Sequence, residues 1–350
     1  MSTEPAPFNN ATNLVEAGSS SGSGHGGAEP AAPVSRSPEA PKLKVTDLPD
    51  VDFDVAGESP WVDMRVDDPE ELPPAGLFDG VQTFPGDGLP VETRPLISSL
   101  EPMTTLRAEY ENGSQTFVKQ IDWLMNQGWI GLRRTRGDGD CFYRSLAFAY
   151  IEQILNATEP ALAVTSALSV LEGTQPLLEQ VGFQSLVFEG FYEPFVELIN
   201  AVLNPREDGR LLTITSLLEA FNTPEVSNSV VMYLRMLTSA QIKLDAESYA
   251  PFLFNPETTE PMEPESFCNN FVEAFGKEAD HVQIAALSSM LKVNINVAYL
   301  DGHDAQGTVS FVPFRNAPDP DAEPVNLLYR PGHYDILDRR SEDPIPPLLE

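Results

Sequence analysis

The sequence predicts an α+β domain, with a helical lobe followed by a small antiparallel or mixed sheet. Three observations predict it. Between about 96 and 291, apolar residues recur mostly at helical spacing. At Val293 the period changes to two: Val293, Ile295, Val297 and Tyr299 alternate with Asn294, Asn296 and Ala298. Three more short strand-like runs then follow before about 340, with glycine turns at Gly302 and Gly332. Many helices first and a cluster of strands last is the pattern of an α+β domain.

Residues 1–95 read instead as an acidic tail rich in Pro, Ser and Gly. Ser19 to Gly27 is almost entirely Ser and Gly, the composition of a flexible linker. From Glu29 to Pro95 prolines recur every few residues and acids outnumber bases. Such a stretch buries too little apolar surface to offset the entropy of ordering, so it is expected to be disordered. The islands Val51-Asp52-Phe53-Asp54-Val55 and Pro60-Trp61-Val62 read as sticky residues in a solvated tail more readily than as a docking motif.

Order is expected from Leu96. Thr105–Asn112 and Gln115–Gln127 carry helical spacing, with Phe117, Ile121 and Leu124 on one face. Trp129–Leu132 reads as a short strand leading into Gly137-Asp138-Gly139. Phe142–Leu155 is a long apolar run without Gly or Pro, expected to be a buried helix. Leu162–Glu172 and Pro176–Leu203 follow as helices, with Pro176 placed as a helix start. Leu211–Phe221 and Ser227–Lys243 are the next two, and Ser227 is a candidate N-cap. Phe267–Phe275 is a short helix, and Asp280–Leu291 an amphipathic one. The strands are Val293–Tyr299, Thr308–Phe314, Val325–Tyr329 and His333–Leu337. Arg330-Pro331-Gly332 places Pro and Gly as a type II turn requires. The domain is therefore expected over 96–340, with an acidic C-terminal tail over 341–350.

The net charge of −32 over 350 residues argues against nucleic acid and anionic membrane surfaces as partners. No apolar run reaches eighteen residues, and the N-terminus lacks a basic and apolar secretory leader. The two cysteines, Cys141 and Cys268, are expected as free thiols in a reducing compartment, the cytoplasm first and the nucleus second. Without a leader, the three Asn-X-Ser/Thr matches are read as chance. The cysteines and histidines lack zinc-ligand spacing, and neither metal nor cofactor is expected.

Chemistry concentrates in Thr135 to Arg144. Gly137 and Gly139 permit a tight turn, and Cys141 follows at the start of a helix. Unpaired N–H groups and the helix dipole favour a thiolate there. A nucleophilic cysteine needs a base. Of the four histidines, His25 lies in the tail, His281 opens a helix and His303 sits in a turn. His333 opens a strand, and on a strand it shares a face with Asp335, so the carboxylate can hold the imidazole tautomer. The backbone N–H groups of Asp138, Gly139 and Cys141 are the candidate oxyanion donors, while the Asp138 carboxylate is expected to cap the helix or brace the turn. Each signal alone is more often structural. The turn also lacks the Gly-Lys-Ser/Thr of a phosphate loop. Cys268, between Phe267 and Phe271, reads as packing.

Four stretches, in this order, resemble the otubain family of ubiquitin-specific cysteine peptidases: Asp138–Arg144, Val230–Ser239, Asp280–Leu287 and Leu327–Leu337. The resemblance covers about 96–338. It implies the otubain-type OTU fold, a papain-like Cys-His arrangement and hydrolysis of peptide and isopeptide bonds at the C-terminus of ubiquitin. By position, Cys141 is then the nucleophile, His333 the general base and acid, Asp335 the orienting carboxylate and Asp138 the aspartate of the oxyanion turn. The implied partners are ubiquitin, polyubiquitin chains and ubiquitin-conjugating enzymes, met by a monomer. Two other readings are a non-catalytic regulator that binds ubiquitin and a conjugating enzyme through about 96–127, and a cysteine peptidase for another ubiquitin-like modifier. One position departs from the family, which usually has Asn where this chain has Asp140. A carboxylate there is expected either to raise the thiol pKa by like-charge proximity or to be solvated and without effect.

Overall fold

A computed structural model describes residues 93–206, 209–304 and 306–343. The tail expected over 1–95 lies outside these residues up to position 92, as does the C-terminal tail from 344.

The first strand, β1 (Ile97–Pro102), was not expected, because Ile97-Ser98-Ser99-Leu100-Glu101-Pro102 carries no strict alternation. Its partner makes it a strand: β1 pairs antiparallel with β2 (Gly131–Thr135), Leu100 opposite Arg133. β2 also runs beyond the expected Trp129–Leu132. It includes Arg133, which is fully buried between Glu152 and Asp343 with its guanidinium over the Phe148 ring. Asp343 lies three residues past the expected domain end at 340, and it also accepts from the Leu100 N–H. The helices α1 (Met103–Tyr110) and α2 (Gln115–Asn126) join β1 to β2; the Ser114 side chain caps α2 by accepting from the Phe117 N–H.

The central helix α3 (Cys141–Leu155) is buried nearly all round, as its unbroken apolar run predicts. It packs against the sheet on one side and against α7 (Pro224–Leu244) on another. Four expectations are corrected in this lobe. Pro176 starts no helix; it lies inside α4 (Pro160–Gln180), and the break comes at Gly182, whose φ of 95° no continuing helix allows. α5 (Ser185–Asn200) begins only after that glycine and carries Pro194 within it. Ser227 is not an N-cap, because α7 starts earlier with Pro224 at its first turn, and the fully buried Ser227 hydroxyl instead accepts from Arg144 Nε at 3.1 Å. α6 (Ile214–Asn222) is shorter at its start than expected, because Thr213 and Ser216 form a reciprocal capping box. After the short α8 (Ala246–Tyr249), the expected helix over Phe267–Phe275 is instead one turn of helix, α9 (Pro264–Phe267), followed by a π-helical turn at Cys268–Val272. α10 (His281–Leu291) begins at a capping box between Asp280 and Gln283.

Four strands close the fold: β3 (Asn294–Tyr299), β4 (Ser310–Arg315), β5 (Val325–Arg330) and β6 (His333–Asp338). The sheet order is β1-β2-β6-β5-β3-β4. Only β3 and β5 run parallel, so the sheet is mixed. Gly332, at φ 73°, makes the tight turn that folds β6 back on β5, with Arg330 opposite His333. The last strand in sequence therefore lies in the interior of the sheet, between β2 and β5 and beneath α3. Among the described residues no helix is long and apolar enough to cross a membrane.

Candidate active site

Cys141 is the first residue of α3 and is 3% exposed. Its N–H is one of the first-turn donors that no intrahelical carbonyl satisfies. The turn before it is tightly packed. Gly139 has φ 79°, and a Cβ at this position would sit 2.2 Å from the Gly276 carbonyl oxygen. No other residue fits, for reasons of both conformation and space.

Two arginines grip this turn. Arg144, one helical turn along α3, donates from Nη1 to both Asp138 oxygens at 2.8 and 2.9 Å. Asp138 Oδ1 also accepts from the Asp140 N–H at 3.1 Å. The Asp138 carboxylate thus braces the turn and caps no helix. The Asp138 N–H donates to the Arg136 carbonyl at 3.0 Å. Of the expected oxyanion donors Asp138, Gly139 and Cys141, this conformation thus holds the first on a neighbouring carbonyl. On the other flank, Arg235 of α7 holds Asp140, donating from Nε to Oδ1 at 2.9 Å and also from Nη2. Asp140 is 6% exposed, and its Oδ1 accepts from the Gly276 N–H too. Both expectations for Asp140 are therefore corrected: the carboxylate is not solvated, and an arginine compensates its charge.

His333 and Asp335 open β6 and face the same way, as the strand period requires. His333 Nε2 lies 2.9 Å from Asp335 Oδ1. The same Oδ1 accepts from the Thr135 N–H at 2.9 Å, so β2 carries part of the alignment. Asp335 Oδ2 accepts from Arg330 Nη2 at 2.5 Å. Burial alone would favour a neutral Asp335, but Arg330 and then His333 outweigh it and hold the carboxyl well below the usual carboxylate range. Burial likewise opposes charge on His333. The Asp335 carboxylate, followed by the Cys141 sulfur, outweighs it and lifts His333 to about 10.

The Cys141 side chain interacts with the imidazole, as Asp335 does. The adjoining residues lock this approach. The Phe142 and Tyr334 rings meet edge to face at 5.5 Å, and the Tyr334 hydroxyl donates to the Ala279 carbonyl. Glu278, next in the chain to Ala279, is close enough to His333 for the two charges to interact.

The structure thus brings together Cys141, His333, Asp335 and the Asp138–Asp140 turn. It leaves Cys268 in a separate buried cluster, its sulfur 3.8 Å from the Ser239 carbonyl and its thiol pushed up to about 11, chiefly by burial. His281 pairs with Asp280 and the Tyr299 hydroxyl, and His303 with Asp301. Among the described residues no group of three His, Cys, Asp or Glu side chains is arranged to hold a metal ion. Sequence reasoning gave no role to Arg144, Arg235 or Arg330. All three lie within the stretches that carry the family resemblance, which was the available signal, but arginine ordinarily reads as surface.

Residues 90–339 match the peptidase C65 otubain family. The ovarian tumor domain-containing deubiquitinating enzyme 1 of Arabidopsis thaliana is 36% identical over 253 residues, 69% of this chain and 80% of that protein. The human ubiquitin thioesterase OTUB1 is 33% identical over 243 residues, 69% of this chain and 83% of its own length. A solved complex described as ceOTUB1 with ubiquitin aldehyde and UBC13~Ub superposes with a TM-score of 0.62 at 26% identity, over 71% of this chain and 95% of that one. The chain belongs to the otubain family of cysteine peptidases.

Proposed function

We propose that this otubain-family chain is a thiol-dependent deubiquitinase that hydrolyses peptide and isopeptide bonds at the C-terminus of ubiquitin and so removes or trims ubiquitin chains. The observation that carries the reading is the contact of Cys141, at a helix N-terminus, with a histidine that Asp335 orients and charges. The substrate class rests on the relatives, which are named as deubiquitinating enzymes and ubiquitin thioesterases.

In this mechanism the Cys141 thiolate attacks the carbonyl carbon of the last ubiquitin glycine. The carbonyl electron pair moves onto oxygen, which the N–H groups of Cys141 and Gly139 stabilise. As the tetrahedral species collapses, the C–N bond breaks and His333 gives its proton to the leaving amine. A thioester remains. Water, deprotonated by His333, attacks it, and collapse releases the ubiquitin carboxylate and returns the thiolate. Asp335 stays ionised throughout and stabilises the imidazolium.

The test is release of a fluorophore from a ubiquitin C-terminal amide, together with cleavage of diubiquitin. Activity at or below that of Cys141→Ala in both assays rejects the reading; turnover of another ubiquitin-like conjugate alone redirects it to that modifier. A second role has its own support, because solved neighbours hold conjugating enzymes charged with ubiquitin as well as ubiquitin aldehyde. In this reading the chain also docks a ubiquitin-conjugating enzyme, through about 96–127. Binding of such an enzyme by Cys141→Ala, lost on substituting exposed residues of that segment, tests it. The free thiols suit a cytoplasmic or nuclear site of action, which imaging of the tagged full chain checks.

A further inference from the structure

Arg235 stands 95 residues from Asp140 in sequence, is fully buried, and spends its donors on one small region. Nε and Nη2 reach the Asp140 carboxylate. Nη2 also reaches the Gly139 carbonyl at 3.1 Å and the Lys277 carbonyl at 2.7 Å, and Nη1 the Val272 carbonyl at 2.9 Å. The guanidinium lies 4.3 Å over the Tyr143 ring. One side chain thus ties together the turn before the nucleophile, the first turn of α3 and the 272–277 segment. The Gly139–Asp140 peptide is pinned at both ends, its carbonyl by Arg235 and its N–H by the Asp138 carboxylate. A lysine has neither the fork nor the number of donors to do this.

We propose that Arg235, paired with Asp140, is a positioning residue for the thiol-hydrolase reaction: it sets the Gly139 and Cys141 backbone donors and cancels the charge that Asp140 places directly before the nucleophile. The carboxylate at 140 and the arginine at 235 then act as one unit. Removing the arginine alone strands a buried anion at the residue before the nucleophile, whereas removing both charges does not. This inference rests on the thiol-hydrolase reading, and the test separates the two.

The experiment compares Arg235→Gln, Arg235→Lys, Asp140→Asn and the Asp140→Asn/Arg235→Gln double variant with wild type. It reads kcat and KM on the ubiquitin fluorophore substrate and, with no ubiquitin present, the pH dependence of Cys141 alkylation by iodoacetamide in a Cys268→Ala background. Arg235→Gln lowers kcat about 30-fold with KM within about twofold, because the donors act on the transition state. It also moves the alkylation profile to higher pH by about one unit, as an uncompensated neighbouring anion requires. Asp140→Asn added to Arg235→Gln returns the alkylation profile and recovers about tenfold in kcat. Arg235→Lys keeps the charge and hence the alkylation profile, but loses about tenfold in kcat.

A folded Arg235→Gln with wild-type kcat and alkylation profile overturns the proposal. So does a double variant that recovers neither readout. If Arg235→Gln does not fold, Arg235→Lys decides, and wild-type kcat for it overturns the proposal. A wild-type chain that fails to cleave ubiquitin conjugates refutes the substrate reading, while the alkylation series still tests the pair.

Discussion

The two cysteines are both buried and both free, yet their surroundings differ. Cys268 lies in a π-helical turn against a carbonyl oxygen, among apolar side chains, and burial pushes its thiol up to about 11. Cys141 lies at the N-terminus of a fifteen-residue helix, against an imidazole that a carboxylate keeps charged. Burial is therefore not what separates an inert cysteine from a nucleophile. What matters is which charges are buried with it, and whether those charges are themselves held in place.

Substituting each cysteine gives the sharpest break. Cys141→Ala is expected to lose at least about 10³-fold in ubiquitin-substrate turnover, as removal of a nucleophile does. Cys268→Ala is expected within about twofold of wild type in the same assay, and a large loss there would erase the distinction. Next is Asp335→Asn, which keeps the shape but removes the charge that the imidazolium faces. Turnover should fall by about 10² to 10⁴.

The pH dependence follows with a definite sign. His333 is raised from 6.5 to about 10 in the folded chain. Its charged pair therefore contributes stability that is fully present below about pH 6.5 and is lost as pH rises through about 10. Turnover should show its basic limb near the upper value, and Asp335→Asn should move that limb downward; an unmoved limb would mean that Asp335 does not hold the charge.

The third effect is on stability. Arg330→Met leaves Asp335 fully buried with one oxygen stripped of its guanidinium, at a cost of about 3–5 kcal/mol in denaturant unfolding. The smallest expected effect belongs to Cys268 again. Cys268→Ala removes one buried sulfur from a packed cluster and should cost about 1 kcal/mol or somewhat more, with no change in the pH–rate profile.

Much of this site was legible in the chain. Gly139 before Cys141 announces a turn onto a helix, and the two-residue spacing of His333 and Asp335 on a strand sets them on one face. Both readings are local, and local geometry follows from neighbouring residues. The capping boxes at Thr213 and Asp280 belong to the same class of signal. Pro176 and Ser227 misled for the opposite reason. Each has a strong local preference, and the packing of α4 and α7 overrode it. β1 was invisible because its order comes from β2, more than thirty residues later.

By itself, then, the sequence determined the α+β class, the helix that carries Cys141, the strand that carries His333 and Asp335, and the family to which they belong. Only the tertiary structure decided which arginine answers which carboxylate: Arg144 for Asp138, Arg235 for Asp140, Arg330 for Asp335 and Arg133 for Asp343. Composition cannot reveal these pairs, because a charge is stable in the interior only when its partner arrives with it, and three of the four partners come from other elements of the chain or from beyond the last strand. Asp140 shows the difference most plainly. Read alone, it is an anion in the wrong place, but in the fold it is one half of the contact that holds the nucleophile's turn.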